Sequence, residues 1–342
     1  GCGNYSKASP QTCVLPALMR LPNFTAQTES EVLRINLDST GKRATGVTYV
    51  DTSGEEWEQP ADIVLLCAFA LFNVPLMLIS GIGKPYDPDS GQGVLGRNYA
   101  YQTTSSVSVI LKDKVLNPFI ATGAHGMMID DYNGDNFDHS NLGFVGGGYM
   151  GAGQTNGRPI QTRPVPKGTP KWGAAWKKAT AETYQHAYSL STHGSSYSYR
   201  DCWLDLDPTY KDRLGRPLMR MTFDFHDNEL KMSAYLTERL AEIAKAMNPT
   251  EMQAHPRKGP YDSTIYQTTH NTGGTVMGDD PQTSVLNRYC QSWDVHNLFI
   301  PGGASVFPQT HGYNPTNTVG ALAFWTADAI TQLYLKNPGP LV

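Results

Sequence analysis

Residues 268–328 read TTHNTGGTVMGDDPQTSVLNRYCQSWDVHNLFIPGGASVFPQTHGYNPTNTVGALAFWTAD. They set a histidine, His270, ahead of the glycine turn Gly273-Gly274, where the backbone can fold tightly and approach a flat ligand. An apolar strand ending in Gly-Gly comes next (Leu298–Gly303). Then comes a polar loop carrying Asn314-Pro315, and last an apolar helical run, Val319–Ile330. A histidine before two glycines is by itself more often structural than chemical. The order of all four pieces makes the stretch specific.

Working outward, the chain has 342 residues, room for one large or two ordinary domains. Charged residues make up only 17%, and glycine and proline are frequent (33 and 23), which suits long connections more than a helical bundle. A net charge of −4 gives a nucleic-acid partner no electrostatic support. The cysteines (Cys2, Cys13, Cys67, Cys202, Cys290) are odd in number and widely spaced, so buried free thiols are expected, Cys67 above all. The opening Gly1-Cys2-Gly3-Asn4 lacks the basic start and apolar core of a signal peptide, and reads as the interior of a longer chain. The run Ile63–Ile79 is apolar except for Asn73 and is interrupted by Pro75. It is short for a membrane span, so a buried strand leading into a helix is expected.

Alternation of apolar and polar residues predicts strands at Phe24–Gln27, Glu31–Leu37, Ala44–Val50 and Trp57–Pro60, the turns between them giving a meander or hairpin. Ile63–Ala68 reads as a strand buried on both faces, and Asn73–Ile79 as a helix ending at Gly81. Residues 84–97, rich in Pro, Gly and Asp, mark a domain crossing. Thr103–Leu111 and Leu218–Phe225 are strands, Trp172–Tyr188 has helical spacing, and 118–175 reads as a glycine-rich insertion of strands and loops. Asp227–Met247 is the clearest helix, with Leu236, Leu240, Ile243, Ala244 and Met247 on one face. The string Gly146-x-Gly148-x-x-Gly151 fits the dinucleotide fingerprint only as letters. Residues 152–166, AGQTNGRPIQTRPVP, cannot start a helix, and no acid comes before Glu182, so the string is read as a glycine-rich loop.

Taken with Ser80-Gly-Ile-Gly83 and Leu95-Gly-Arg-Asn98, the C-terminal stretch resembles the glucose–methanol–choline (GMC) family of flavin oxidoreductases, over the C-terminal two-thirds of that family. The dinucleotide-binding N-terminal half is expected to be absent. The resemblance implies a mixed α/β and α+β fold. Part of an FAD-binding, Rossmann-like domain is intercut with a substrate domain built on an antiparallel sheet with helices. Residues 1–97 and 261–342 would belong to the first, the latter carrying the catalytic loop, and 98–260 to the second. By the same resemblance His270 and Asn314 occupy the catalytic pair. Val32 lies toward the adenine end of FAD, Gly302, Gly303 and Ala304 run along the cofactor, and Pro315 and Thr316 form the turn beside the flavin ring. His311, three residues before Asn314, is a decoy or an auxiliary group.

Within the family, residues 1–10 are similar to the gluconate 2-dehydrogenase branch of sugar, polyol and sugar-acid dehydrogenases. That likeness implies a gluconate-like substrate and electron transfer to a cytochrome or quinone. It also implies a small subunit and a cytochrome c subunit as partners, and a periplasmic, peripherally membrane-associated place. In related members an iron–sulfur cluster precedes this point, and Cys2 would be its last ligand; one cysteine there cannot hold a cluster alone. If the substrate is an acid, Arg158, Arg163, Lys167, Lys171 and Arg200 are the cations that could meet its carboxylate. Two other readings stand beside this one: an incomplete chain that binds no FAD and is inactive alone, and a GMC oxidase using oxygen.

Overall fold

The computed structural model describes residues 8–116, 126–153, 164–265, 269–308 and 312–341. The chain divides into two compact units. One comprises Gly1–Thr28, Thr104–Gly194 and Leu230–Lys258; the other comprises Glu29–Thr103, Ser195–Glu229 and Gly259–Val342.

The first unit is a five-stranded sheet in the order Glu251–His255, Thr103–Ile110, Ala187–Gly194, Gly148–Gly153, Gly126–Ile129. The helix Asp227–Ala246 supplies the other half of its core. Its Met232, Leu236, Leu240 and Ala244 are buried against Val107, Val109, Leu111, Met150 and Leu190. Each large side chain removed from water in this way stabilises by roughly 1.5–3 kcal/mol. The predicted helical face is therefore the core face, with Ile243 and Met247 packed at its edge. The rejected glycine string lies in the strand Gly148–Gly153 and its approach, not at a strand-to-helix turn. Trp172–Tyr188 is shorter as a helix than its spacing suggests: Ala174–Thr183 is helical, and Ala187 already begins a strand.

The second unit holds the meander Glu31–Leu37, Ala44–Val50, Glu56–Pro60, with antiparallel pairing throughout. It also holds the hairpin Trp203–Lys211/Pro217–Thr222 and the helices Ala70–Ile79 and Thr316–Ala329. Buried Asn297 ties the meander to the C-terminal return: its amide accepts from the Ala44 N–H at 2.7 Å and donates to the carbonyls of Ala44 and Asp62 at 2.7 and 2.8 Å.

Several expectations change. Phe24–Gln27 forms no strand, because an extended segment becomes one only when its backbone finds a ladder partner. Ile63–Ala68 contributes only Val64–Leu65, paired in parallel with Leu298–Phe299. It is buried on one face, not two: Val64 and Leu66 are 8% and 5% exposed, whereas Leu65 is 53% exposed. Cys67 shares the open face and is exposed, contrary to its expected burial; Cys202 and Cys290 are the buried thiols among the described residues. The 84–97 segment is not a crossing. It lies inside the second unit, closed by Tyr86 N–H to Leu95 O (2.9 Å) and Leu95 N–H to Lys84 O (3.0 Å). The chain changes unit at Thr103–Thr104 instead, and residues 195–229 cluster with 29–103 rather than with 104–194. Among the described residues no helix is long and apolar enough to cross a membrane.

Candidate active site

The site is assembled by two short segments of the second unit. Asn271–Thr272 pairs antiparallel with Ala100–Tyr101. The Gly274 N–H donates to Arg97 O (3.0 Å), and the Gly96 N–H donates to Gly274 O (2.7 Å). Gly273 must be glycine here: its φ is +79°, and a Cβ would fall 1.8 Å from the Asn98 carbonyl oxygen. Next to His270 in the chain, the Asn271 side chain accepts a hydrogen bond from the Tyr99 hydroxyl. Burial pushes that phenol well above its ordinary pKa, so it remains a donor.

A buried serine links this segment to the C-terminal return. Ser305 Oγ takes hydrogen bonds from Thr275 Oγ1 at 2.6 Å and from the Asn73 amide at 3.0 Å, while the Thr275 N–H reaches Ser305 O at 3.1 Å. Asn73 in turn accepts the Ala68 N–H at 2.9 Å. The residue that interrupts the Ile63–Ile79 apolar run is thus a buried connector, hydrogen-bonded through both ends of its amide, as a polar group in a core must be.

His270 is half-buried at the end of this framework, and burial lowers its pKa below the ordinary value, favouring neutral imidazole. Its Nδ1 bonds Oε1 of Gln102, a side chain with no exposed surface. The Gln102 Nε2 donates to the Tyr313 carbonyl at 3.4 Å, and the Gln102 N–H donates to the His270 carbonyl at 3.3 Å. One buried amide therefore touches both the imidazole and the residue just before Asn314. Asn314 is exposed, Pro315 caps the helix with φ −79° and ψ 10°, and Thr316 opens Thr316–Ala329.

Of the predicted site residues, His270 and the Asn314–Thr316 turn are brought into one network through Gln102 and Tyr313. Gly302 and Gly303 join it through Ser305, and Ala304 begins the short helical turn Ala304–Val306. Val32 is not part of that network among the described contacts; it is 38% exposed in the meander, pairs with Tyr49, and its carbonyl accepts from Arg216. Cys2, His311, Arg158 and Arg163 lie outside the described residues. Arg200 is in the same unit as His270, whereas Lys167 and Lys171 are in the other. Asp201, Cys202 and His226 form a separate group: His226 Nε2 bonds Asp201 at 3.0 Å while its Nδ1 is buried with no hydrogen-bond partner among the described residues, and burial pushes the Cys202 thiol up to about 11, so it stays protonated near neutrality. Gln102 and Ser305 were missed by sequence reasoning. Each is a common polar residue with no motif around it, and only the strand pairing shows what it faces.

The described residues suit the ring end of a flavin. They include two glycine turns, an exposed Asn-Pro-Thr turn at a helix N-terminus, and a half-buried histidine whose burial favours the neutral form. A pyrophosphate cradle is not among them. Of the two strands paired in parallel among the described residues, Val64–Leu65 leads to the helix Ala70–Ile79 through Leu66–Phe69, which contains no glycine, and Leu298–Phe299 leads through Gly302-Gly303 only into the three-residue turn Ala304–Val306.

Known proteins agree with this geometry. Models of the GMC oxidoreductase family match residues 1–104 and 198–323. The gluconate 2-dehydrogenase flavoprotein of Pantoea cypripedii is 52% identical over 345 aligned residues, covering all of this chain and 56% of that protein. The 2-methyl-1,2-propanediol dehydrogenase of Mycolicibacterium austroafricanum is 28% identical, over 85% of this chain and 52% of its own length. The chain thus spans about half the length of these curated relatives. A formate oxidase structure from Aspergillus oryzae RIB40 superposes with a TM-score of 0.56 at 16% identity, covering 90% of this chain and 61% of that one. With both family models and the fold in agreement, the chain belongs to the GMC oxidoreductase family.

Proposed function

We propose that this chain carries the catalytic part of an FAD-dependent dehydrogenase that oxidises a hydroxyl of a sugar acid or sugar, gluconate-like in its chemistry. The observation that carries the reading is the single buried amide joining a half-buried, neutral-favouring His270 to the Tyr313–Asn314 loop.

Alcohol oxidation removes an O–H proton and a C–H hydride, and bound flavin supplies the hydride acceptor. His270 takes the hydroxyl proton; a base whose pKa lies near the working pH contributes ~10²–10⁴-fold. Asn314 cannot take a proton, but its amide hydrogen-bonds the substrate oxygen and fixes its direction, which lowers the entropic part of the barrier. When FAD is bound, Pro315 and Thr316 would hold the ring end, Gly302, Gly303 and Ala304 the middle of the cofactor, and Val32 its adenine end. Of the five cations considered for a substrate carboxylate, Arg200 is the one that falls in the same unit as His270. Electrons leave to a cytochrome or quinone through partner subunits at the periplasmic face of a membrane. The support for partner subunits is similarity to proteins described as a flavoprotein of gluconate 2-dehydrogenase and, over 127 residues, the large subunit of a fructose dehydrogenase of Gluconobacter japonicus.

The test is turnover of the flavin-loaded protein with gluconate and an artificial dye acceptor, with oxygen monitored in parallel. Dye reduction without oxygen uptake is expected. Oxygen consumption in step with substrate would point to an oxidase, and failure to oxidise any sugar acid or sugar would overturn the reading.

A second reading has its own observation. Leu65, Phe72, Phe324 and Trp325 are 53%, 63%, 81% and 51% exposed, and the described residues hold no phosphate cradle. On this reading residues 1–342 alone bind no flavin and are inactive without a complementary polypeptide. Flavin absorbance of the purified 342-residue chain separates the two.

A further inference from the structure

We propose that Gln102 is a positioning residue that fixes the tautomer of His270, holding the proton on Nδ1 and the lone pair on Nε2. The inference rests on the reading of His270 as the base.

The Tyr313 carbonyl can only accept, and it is 3.4 Å from the nitrogen end of the Gln102 amide. That contact points Nε2 of Gln102 toward Tyr313 and leaves its carbonyl Oε1 facing His270. A carbonyl oxygen also only accepts, so Nδ1 of His270 must be the donor. In neutral imidazole a proton on Nδ1 leaves Nε2 bare. The lone pair that takes the hydroxyl proton is therefore assigned to Nε2 by a chain of contacts beginning at the backbone of the Asn314 loop. Gln102 can enforce this because it has no exposed surface, and its backbone N–H is bonded to the His270 carbonyl as well. The neighbouring Thr103 N–H is likewise anchored, on Ser196 Oγ at 3.0 Å.

A neutral amide orients the ring without charging it. Gln102, bonded to the imidazole, is uncharged, and burial lowers the imidazole pKa. A carboxylate at position 102 would have the opposite effect. It would stabilise imidazolium and raise the pKa, by roughly one to three pH units for an opposite charge in contact.

The experiment uses the holoenzyme labelled with 15N-histidine, the His270 signals being identified by their loss in His270→Ala. In the wild type, Nδ1 is expected to carry the proton and Nε2 to be bare at neutral pH. Gln102→Leu should give a mixture of tautomers and a kcat lower by about 10-fold or more, with KM changed less. Gln102→Glu should move both the NMR titration midpoint of His270 and the acid limb of kcat up by about one pH unit or more. A merely structural glutamine would alter flavin content or melting temperature and leave tautomer and midpoint where they were. If Gln102→Leu does not fold, Gln102→Glu decides. A slow His270→Ala enzyme combined with an unshifted midpoint in Gln102→Glu overturns the positioning role and spares the base. A near-normal His270→Ala enzyme overturns both.

Discussion

A histidine serves as a base only while it is neutral, and burial favours that form of His270, the base proposed above. Burial disfavours the imidazolium, so the folded pKa lies below the ordinary value of about 6.5. The working form is the deprotonated one. Turnover is therefore expected to be flat above about pH 6.5 and to fall as pH drops through the lowered pKa. A kcat profile against pH checks this directly; an acid limb above about pH 7 would mean that a charged partner raises the group and that burial does not govern it. At this scale the sequence was legible where several residues form one pattern, as His270, Gly273-Gly274 and Asn314-Pro315 do. It was silent about Gln102, which opens an ordinary strand-like run, QTTSSVS. Its role exists only because Ala100–Tyr101 pairs with Asn271–Thr272, and no local signal announces a two-residue pairing between segments so far apart in the chain.

The return from strand to helix is held by one glycine more than by its neighbour. Gly302 has φ +62°, and a Cβ there would lie 2.2 Å from the Val319 carbonyl oxygen and 2.6 Å from the Ala323 nitrogen, both in the Thr316–Ala329 helix. Gly303 has φ −62°, and its Cβ would meet nothing closer than 3.4 Å. Gly302→Ala is therefore expected to destabilise by about 2 kcal/mol or more, through left-handed strain plus overpacking, and Gly303→Ala by well under about 1 kcal/mol. Thermal melts of the two variants compare them, and equal midpoints would contradict the packing account. Asp227–Ala246, with a long, clean period, was readable in advance and buries the face its spacing marks; Ala44–Val50 forms the expected strand but buries Ala44, Gly46, Thr48 and Val50, leaving the alternating Val47 and Tyr49 only partly covered. Ile63–Ala68 was not readable in this way. A continuous apolar run implies two covered faces, yet Leu65 and Cys67 lie open, because burial depends on what packs against the strand and not on the strand itself. The proline- and glycine-rich 84–97 misled for a related reason: turn chemistry shows that the chain bends, not whether it leaves a unit.

Across the whole molecule, family membership and the site network point the same way. The full 342 residues align with a flavoprotein at 52% identity, the fold superposes on a formate oxidase, and a neutral-favouring histidine is held beside a glycine turn and an Asn-Pro turn. The central claim is that His270 takes the substrate proton during oxidation of a sugar-acid hydroxyl. It is tested most directly by mixing the holoenzyme with gluconate without oxygen and following the loss of flavin absorbance, in the wild type and in His270→Ala. The account predicts rapid bleaching in the wild type, and bleaching slowed by about 100-fold or more in the variant with its flavin still bound. Bleaching at a similar rate in both would contradict it.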